Sequence, residues 1–494
     1  MYKNTIILIS VFLGISLALQ SELFAQDKKN KHMNEKNAMT RISEKSTIVT
    51  YNPVEGLETS TDFTVNVNNT AVWTETVGNG GMENLNVANF SCSGKQTITI
   101  QAREIITKYS IRPKSRNITA QVKGKELTFT ISGPQKLYIE INNLPHLAIF
   151  ANPPEDKLPD TNDTNVVYYG PGTHSPGLIN LKNNQTIYIA GGAVVNANIR
   201  GNNLQNIKIL GRGNLNGNLQ IGNSSNIEVE GIFMRSTRGW TNTLIDCYNS
   251  SYRNVKVFSY QSVWGLDGIN PVSCKNFTID DCFIRTKDDC ISVKSMPQFG
   301  GYTANDINTD SITVINNLLV GWSHADGFTM GFELQGGVAE NVLVKNCDIL
   351  MARGQGRTGG HSGFSIVCDG ASIVQNIRFE DIRVEAEIEY KNLELIITEG
   401  RRYGTGNPGH IKGVYLKNIH WENANKPFVI AGVPNHILED VSFDNCFLAG
   451  KLITGFKDAD FQMEFAKDIK FISSKSLSGN NKEGNELTLT QLNY

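Results

Sequence analysis

From about residue 200 the chain alternates apolar and polar residues in short runs that keep returning. "NIKILGRGNLNG" begins at Asn206, "NIEVEGIFMRST" at Asn226, "NVKVFSYQSVWG" at Asn254 and "NFTIDDCFIRTK" at Asn276. Five more start at Ser311, Asn341, Asn376, Gly413 and Asp440. A period of two places alternate side chains on opposite faces, the signature of a strand. Each run carries a polar Asn or Asp near its middle, then a Cys or Ile that points back inward. The starts lie 20 to 37 residues apart, and recurrence on that scale means a solenoid or a propeller. A propeller blade needs four strands, which the shortest units cannot supply. Leucine-rich repeats would show a Leu spacing and helical halves that are absent. The uneven spacing predicts a right-handed parallel β-helix over residues 165 to 475, with about ten coils whose loops absorb the insertions. The Asn or Asp after the first strand (Asp281, Asn346, Asp381, Asn418, Asn445) predicts a ladder stacked at one turn.

Residues 45 to 160 follow another rhythm. "DFTVNVNN", "KQTITIQA", "NITAQVKG", "KELTFTIS" and "KLYIEINN" are alternating strands bounded by turn residues, which predicts an antiparallel β-sandwich. The expected fold class is therefore all-β, with the sandwich ahead of the β-helix. The Pro- and Asp-rich stretch 151–165 is the junction. Residues 26–44 read as a disordered linker and 476–494 as a C-terminal tail. At the start, Lys3 precedes an apolar run from Thr5 to about Leu19, and a polar break ends at Ala25. That is the layout of a signal peptide over residues 1–25, although Leu23 stands where a small residue is usual. The run is short for a membrane span, so a secreted or periplasmic protein is expected.

A net charge of −2 over 494 residues argues against nucleic acid or an anionic membrane as partner. Eight cysteines are too sparse for a disulfide scaffold and read as small buried residues with one or two bridges. No CxxC or HExxH occurs, so no zinc site is expected, and no other metal or cofactor.

Candidate chemistry comes from "TKDDCISVKS", residues 286–295, where Asp288 and Asp289 stand side by side ahead of a strand. In a solenoid, residues at equal offsets stack about 4.8 Å apart. Counted from Asn254 and Asn276 as starts of neighbouring coils, Asp267 and Asp289 each lie 13 residues on. They should sit one above the other, with Asp288 beside them. Such carboxylates repel and shift one another's pKa. Turn capping or cation binding is the bland account; acids sharing protons, as glycosidases require, is the functional one. One acid gives its proton to the leaving oxygen, while ionised partners activate water on the far face of the sugar. In the next coil His324 lies 13 residues after Ser311 and would share the column. Counting back from "GFTMG" places Asp326 there instead, and an insertion between the strands leaves both open.

"GLDGIN", "KDDCISV" and "HADGFTMG" resemble the NTD, DD and GHG motifs of glycoside hydrolase family 28, the polygalacturonases. The sandwich ahead of the helix, with "VVYYGPGTHSPGLINLKNNQTIYIAGGAVV" opening the first coils, is similar to family 49, the dextranase and isopullulanase group. The resemblance covers nearly the whole mature chain and implies hydrolysis of glycosidic bonds with inversion. By motif position it implies that Asp288 is the general acid and that Asp267 and Asp289 activate water, with His324 in the catalytic set. The departures matter. Gly265 and Leu266 stand where the first motif has Asn and Thr, and the GHG motif is not intact. The RIK motif, whose cations hold the galacturonate carboxylate, falls on Ser365, Ile366 and Val367. That subtracts a strict galacturonan hydrolase. Lys294 and the loop residues Arg353, Arg357, Arg401 and Arg402 are candidate replacements, against a solvated role for each arginine, and Asp326 is a further candidate contact. Trp240 and Trp264 are candidate platforms for sugar rings, or buried loop residues.

Two other classes share this architecture. A polysaccharide lyase needs a Lys or Arg base beside a uronate, often with Ca²⁺ on aspartates, and only Lys294 lies near a matching column. A binding module that presents loops gives no reason for acids that repel. Fold analogy does not choose a sugar, so the expected partner is a polysaccharide or oligosaccharide.

Overall fold

The computed structural model describes residues 47–473, apart from 79–83, 156–157, 237, 260–264, 355–359, 401–403 and 405. The expected signal peptide, linker and tail lie outside the described residues, among which there is no α-helix. None of the described helical turns is long and apolar enough to cross a membrane.

Two sheets make the sandwich. One holds Thr47–Thr50, Glu58–Thr59, Thr74–Val77, Leu85–Ser93, Tyr109–Arg112, Gln135–Ile141 and His146–Asn152. The other holds Phe63–Val67, Thr70–Val72, Gln96–Ala102, Ala120–Lys123 and Glu126–Ile131. Their inward residues, including Val65, Ile98, Ile100, Leu127, Phe129 and Ile139, fill the space between. Neighbouring strands are antiparallel except His146–Asn152, which runs parallel to Leu85–Ser93. The alternation in the sequence does not predict His146–Asn152, because both of its faces are buried and its apolar run from Leu147 to Ala151 is continuous. The second face packs on the helix: Tyr138, Ala148 and Phe150 meet Phe233, Phe258 and Phe283. Ion pairs reinforce that contact, with Arg235 on Glu75 at 2.5 Å, Arg112 on Glu385 at 2.5 Å and Lys136 on Asp281 at 2.7 Å.

The parallel β-helix runs from Val166–Tyr169 to Ala466–Ile472, and one face is a 12-stranded sheet. Most coils add two shorter strands, such as Phe283–Thr286 and Ile291–Ser295, which stack as further ladders. Inside, Ile269, Ile291, Phe328, Phe364, Leu393 and Phe428 form one register column. All eight cysteines are free and buried, so the expected bridges are not formed.

One coil start needs correction. The pairing of Ser225, Tyr248 and Lys275 puts Asn249, not Asn254, in line with Asn226 and Asn276. Asn254 instead stands over Asp281, its N–H bonded to the Asp280 carbonyl. Asparagine recurs because each corner needs a positive φ, 55° at Asn226 and 51° at Asn346, which few other side chains tolerate. Their amides bond from coil to coil: Asn226 to Asn206 at 2.9 Å, Asn276 to Asn249 at 2.7 Å, Asn346 to Asn316 at 2.8 Å and Asn445 to Asn418 at 2.7 Å. Asp281, expected in such a ladder, takes Lys136 of the sandwich.

Candidate active site

The acids lie in the short bend between Phe283–Thr286 and Ile291–Ser295 and at the same bend of adjacent coils. Ile269 pairs with Ile291, and Ile291 with Phe328. Asp267, Asp289 and Asp326, each two residues earlier, therefore form a column that Ser362 and Lys391 continue. Backbone bonds fix it: Gly268 N–H donates to the Asp289 carbonyl at 2.9 Å, and Cys290 N–H to that of Asp326 at 3.0 Å. The start misplaced by five residues is cancelled here by an insertion of the same length. Twenty-seven residues separate Asn249 from Asn276 but 22 separate Ile269 from Ile291, so the five extra residues lie ahead of the column, between Ser259 and Ile269.

The insertion in the next coil falls between Gly321 and Phe328, which resolves the alternative in favour of Asp326. His324 stays outside the column. It is half-buried with φ +58°, its Nδ1 lies 2.8 Å from Ser323 Oγ, and burial followed by His361 lowers its pKa.

Asp288 is half-buried. Its Oδ2 accepts the Gly265 N–H at 2.7 Å and its Oδ1 the Asp289 N–H at 3.1 Å. Asp267 and Asp289 are buried. Burial is the first cause that raises Asp267 to about 7; Asp288 and Glu333 add to it, while Lys294 and the Asn270 amide at 3.0 Å oppose it. Burial, then Asp326, Asp288 and Asp267, pushes Asp289 well above the carboxylate range. Asp289 Oδ1 accepts the Asp326 N–H at 3.0 Å.

Asp326 behaves differently. Burial would raise it, yet His361 Nδ1 at 3.2 Å, Ser365 Oγ at 2.6 Å and the Ser362 N–H at 2.6 Å hold it below the usual range. His361 is raised in return: burial opposes its charge, and Asp326 overcomes that. Sequence reasoning misses His361. The signal was there, since it lies 35 residues after Asp326 in a coil of 36, beside the column. Ser365, where the resemblance places a cation, spends its hydroxyl on Asp326.

Lys294 is corrected as well. It is buried, 2.5 Å from Glu333 Oε2 and 3.5 Å from Asp267 Oδ2, with its Nζ 4.2 Å above the Trp240 ring. Burial would lower its pKa, but Glu333 and Asp267 hold it up, so its charge is committed to the protein and not to a substrate carboxylate. Trp240 has Lys294 over its ring and stacks on Phe299 at 3.8 Å, which makes it a buried-side support and not an open platform. Arg353 pairs with Glu387 and lies over Trp322 at 4.8 Å, toward the sandwich. Trp264, Arg357, Arg401 and Arg402 lie outside the described residues.

Among the described residues, Asp289, Asp326 and His361 have ligand atoms within 4.8 Å of one another, close enough for a metal ion. Within that group His361, Ser362 and Ser365 all contact the Asp326 oxygens.

A family model described as Glycosyl hydrolases family 28 matches residues 172–425. A probable polygalacturonase of Vitis vinifera is 36% identical over 100 residues, 19% of this chain and 20% of that protein, so the match spans a fifth of the relative's length. Dex49A from Penicillium minioluteum superimposes with a TM-score of 0.56 at 13% identity, over 86% of this chain and 96% of its own, and so shares the fold. An exopolygalacturonase from Thermotoga maritima gives 0.49 at 17% identity over 62% and 84%.

Proposed function

The chain belongs to glycosyl hydrolase family 28, and from that premise we propose that it cleaves a polysaccharide or oligosaccharide by hydrolysis with inversion. Asp288 protonates the leaving oxygen, and Asp267 with Asp289 activates the attacking water. The observation that carries this reading is the corner itself, where two coils bring three carboxyls together, two buried in one column and the third half-open beside them. The half-open Asp288 is the one whose proton can reach a leaving oxygen. An acid raised to about 7 is, once ionised, a stronger base than an ordinary carboxylate, which suits Asp267 to pulling a proton from water. Asp267 and Asp289 interact, so they titrate as one set with a shared proton. Asp326 aims Asp289 through its N–H, and His361 keeps Asp326 ionised. His361 thus supports the column from the coil beyond the one that holds His324.

The cleavage point suits a neutral sugar better than a uronate. Ser365 stands where the resemblance places a cation, and the column's own lysines, Lys294 and Lys391, are held at 2.5 Å by Glu333 and Glu394, while the half-buried Lys287 stands beside Asp288. The same pairing argues against a lyase, since Lys294 with a raised pKa is a poor base. The leader-like opening supports export, secreted or periplasmic.

A panel of neutral and acidic polysaccharides, scored for new reducing ends and for the ultraviolet absorbance of unsaturated sugars, tests the reading. Reducing ends without that absorbance are expected on a neutral polymer. A rise in absorbance would make the protein a lyase.

A further inference from the structure

We propose that the cavity between the sandwich and the coil edge beside Asp288 is a distal subsite for a neutral glycosyl unit of the chain being cleaved, held jointly by both domains; this rests on the glycosidase reading above. The cavity measures about 440 Å³, within the range of sites that bind small molecules. The sandwich supplies Tyr109, Ser110 and Asn143, and the helix supplies Trp322 and Arg353.

Register ties this cavity to the acids. Gly321 pairs with Thr286 and Ala352 with Gly321. Trp322 and Arg353 therefore stack over Lys287, the residue before Asp288. The Arg353 carbonyl accepts the Ala325 N–H at 3.0 Å, and a Cβ on Gly354 would come within 2.2 Å of the His324 nitrogen. A glycan that crosses the acid corner toward the sandwich thus runs directly into the cavity.

Its chemistry suits hydroxyls. The two acids in its wall, Glu140 and Glu387, are both bound by Arg112, at 2.8 and 2.9 Å, and Glu387 also by Arg353. No uncompensated negative well remains there, and the exposed Lys108 adds a cation to the sandwich side of the wall. Trp322 has the guanidinium groups of Arg285 and Arg353 over its ring, at 4.6 and 4.8 Å, which fixes it as a wall. Tyr109, 40% exposed, and the exposed Asn143 offer an aromatic surface and an amide to a sugar.

The test is affinity electrophoresis of the whole protein through gels containing dextran, pullulan, arabinan or polygalacturonan. At least one neutral polymer should retard it. The double variant Tyr109→Ala/Asn143→Ala, and separately Arg353→Gln from the opposite wall, should weaken that retardation about tenfold, the equivalent of 1.4 kcal/mol, with melting temperature unchanged. Undiminished retardation in both variants, retardation by polygalacturonan alone, or none by any polymer would overturn the subsite. Retardation lost in the variants while the parent forms no reducing ends would keep the subsite and sink the hydrolase reading.

Discussion

The asparagine ladders and the acid column are built by the same device, equal offsets on neighbouring coils, yet they do opposite things. An amide donates and accepts, so each rung satisfies the next, as Asn226 does with Asn206 and Asn346 with Asn316. A carboxylate only accepts. Ionised, Asp267, Asp289 and Asp326 cannot satisfy one another, and Asn270, Lys294, Ser365 and His361 are recruited around them. Register is indifferent to what it stacks. Where a stack works against its own stability, chemistry is the reason to look for.

The largest break in that comparison should come from Asp288→Asn. Hydrolysis of a responsive polymer should fall by about 10² to 10⁴, the usual worth of general acid catalysis. A glycosyl fluoride, which needs little protonation, should be spared, and the melting temperature should hold or rise. Normal turnover in a variant that melts early would make Asp288 a structural residue.

Asp267→Asn sharpens the energetic side. Folded, Asp267 keeps its proton to about 7; unfolded, it releases it near 3.8. Its contribution to stability is complete below 3.8 and is lost as pH climbs to about 7, by a few kcal/mol at roughly 1.4 per unit. The asparagine has no proton to lose. Melting temperatures should therefore diverge in favour of the variant between pH 4 and 7, and parallel profiles would contradict the raised pKa.

The ladder side should give the smallest effect. Asn346→Ala loses a rung and leaves alanine at φ +51°, at a cost of about 1–2 kcal/mol in a urea melt. The kcat of the folded fraction should not change, and Asn346→Gly should recover part of the loss. A fall in kcat would mean that the ladders and the acid corner are coupled.

Much of this was legible in the sequence for a physical reason: in a solenoid, counting residues is measuring distance. The stack of Asp267 on Asp289 was reached by a count of 22 because two offsets cancel: Asn254 lies five residues past the true coil start Asn249, and five inserted residues precede the column. The same method could not choose between His324 and Asp326, since a count cannot say on which side of an insertion the register resumes. Lys294 was visible as a charge near the site, but Glu333, which claims it, sits 39 residues on, two residues past GFTMG and outside the stretch the resemblance reads. The strand His146–Asn152 escaped because, covered on both sides, it does not alternate.

The contact between sandwich and helix also sets an order on synthesis. Glu75 waits 160 residues for Arg235, and Arg112 waits 273 for Glu385. Until Phe233, Phe258 and Phe283 have been made, Tyr138, Ala148 and Phe150 have nothing to cover them. The nascent chain therefore carries a naked apolar patch through a long stretch of its elongation. A chain interrupted before those phenylalanines would keep that patch permanently, as a sticky fragment and an invitation to chaperones and proteases.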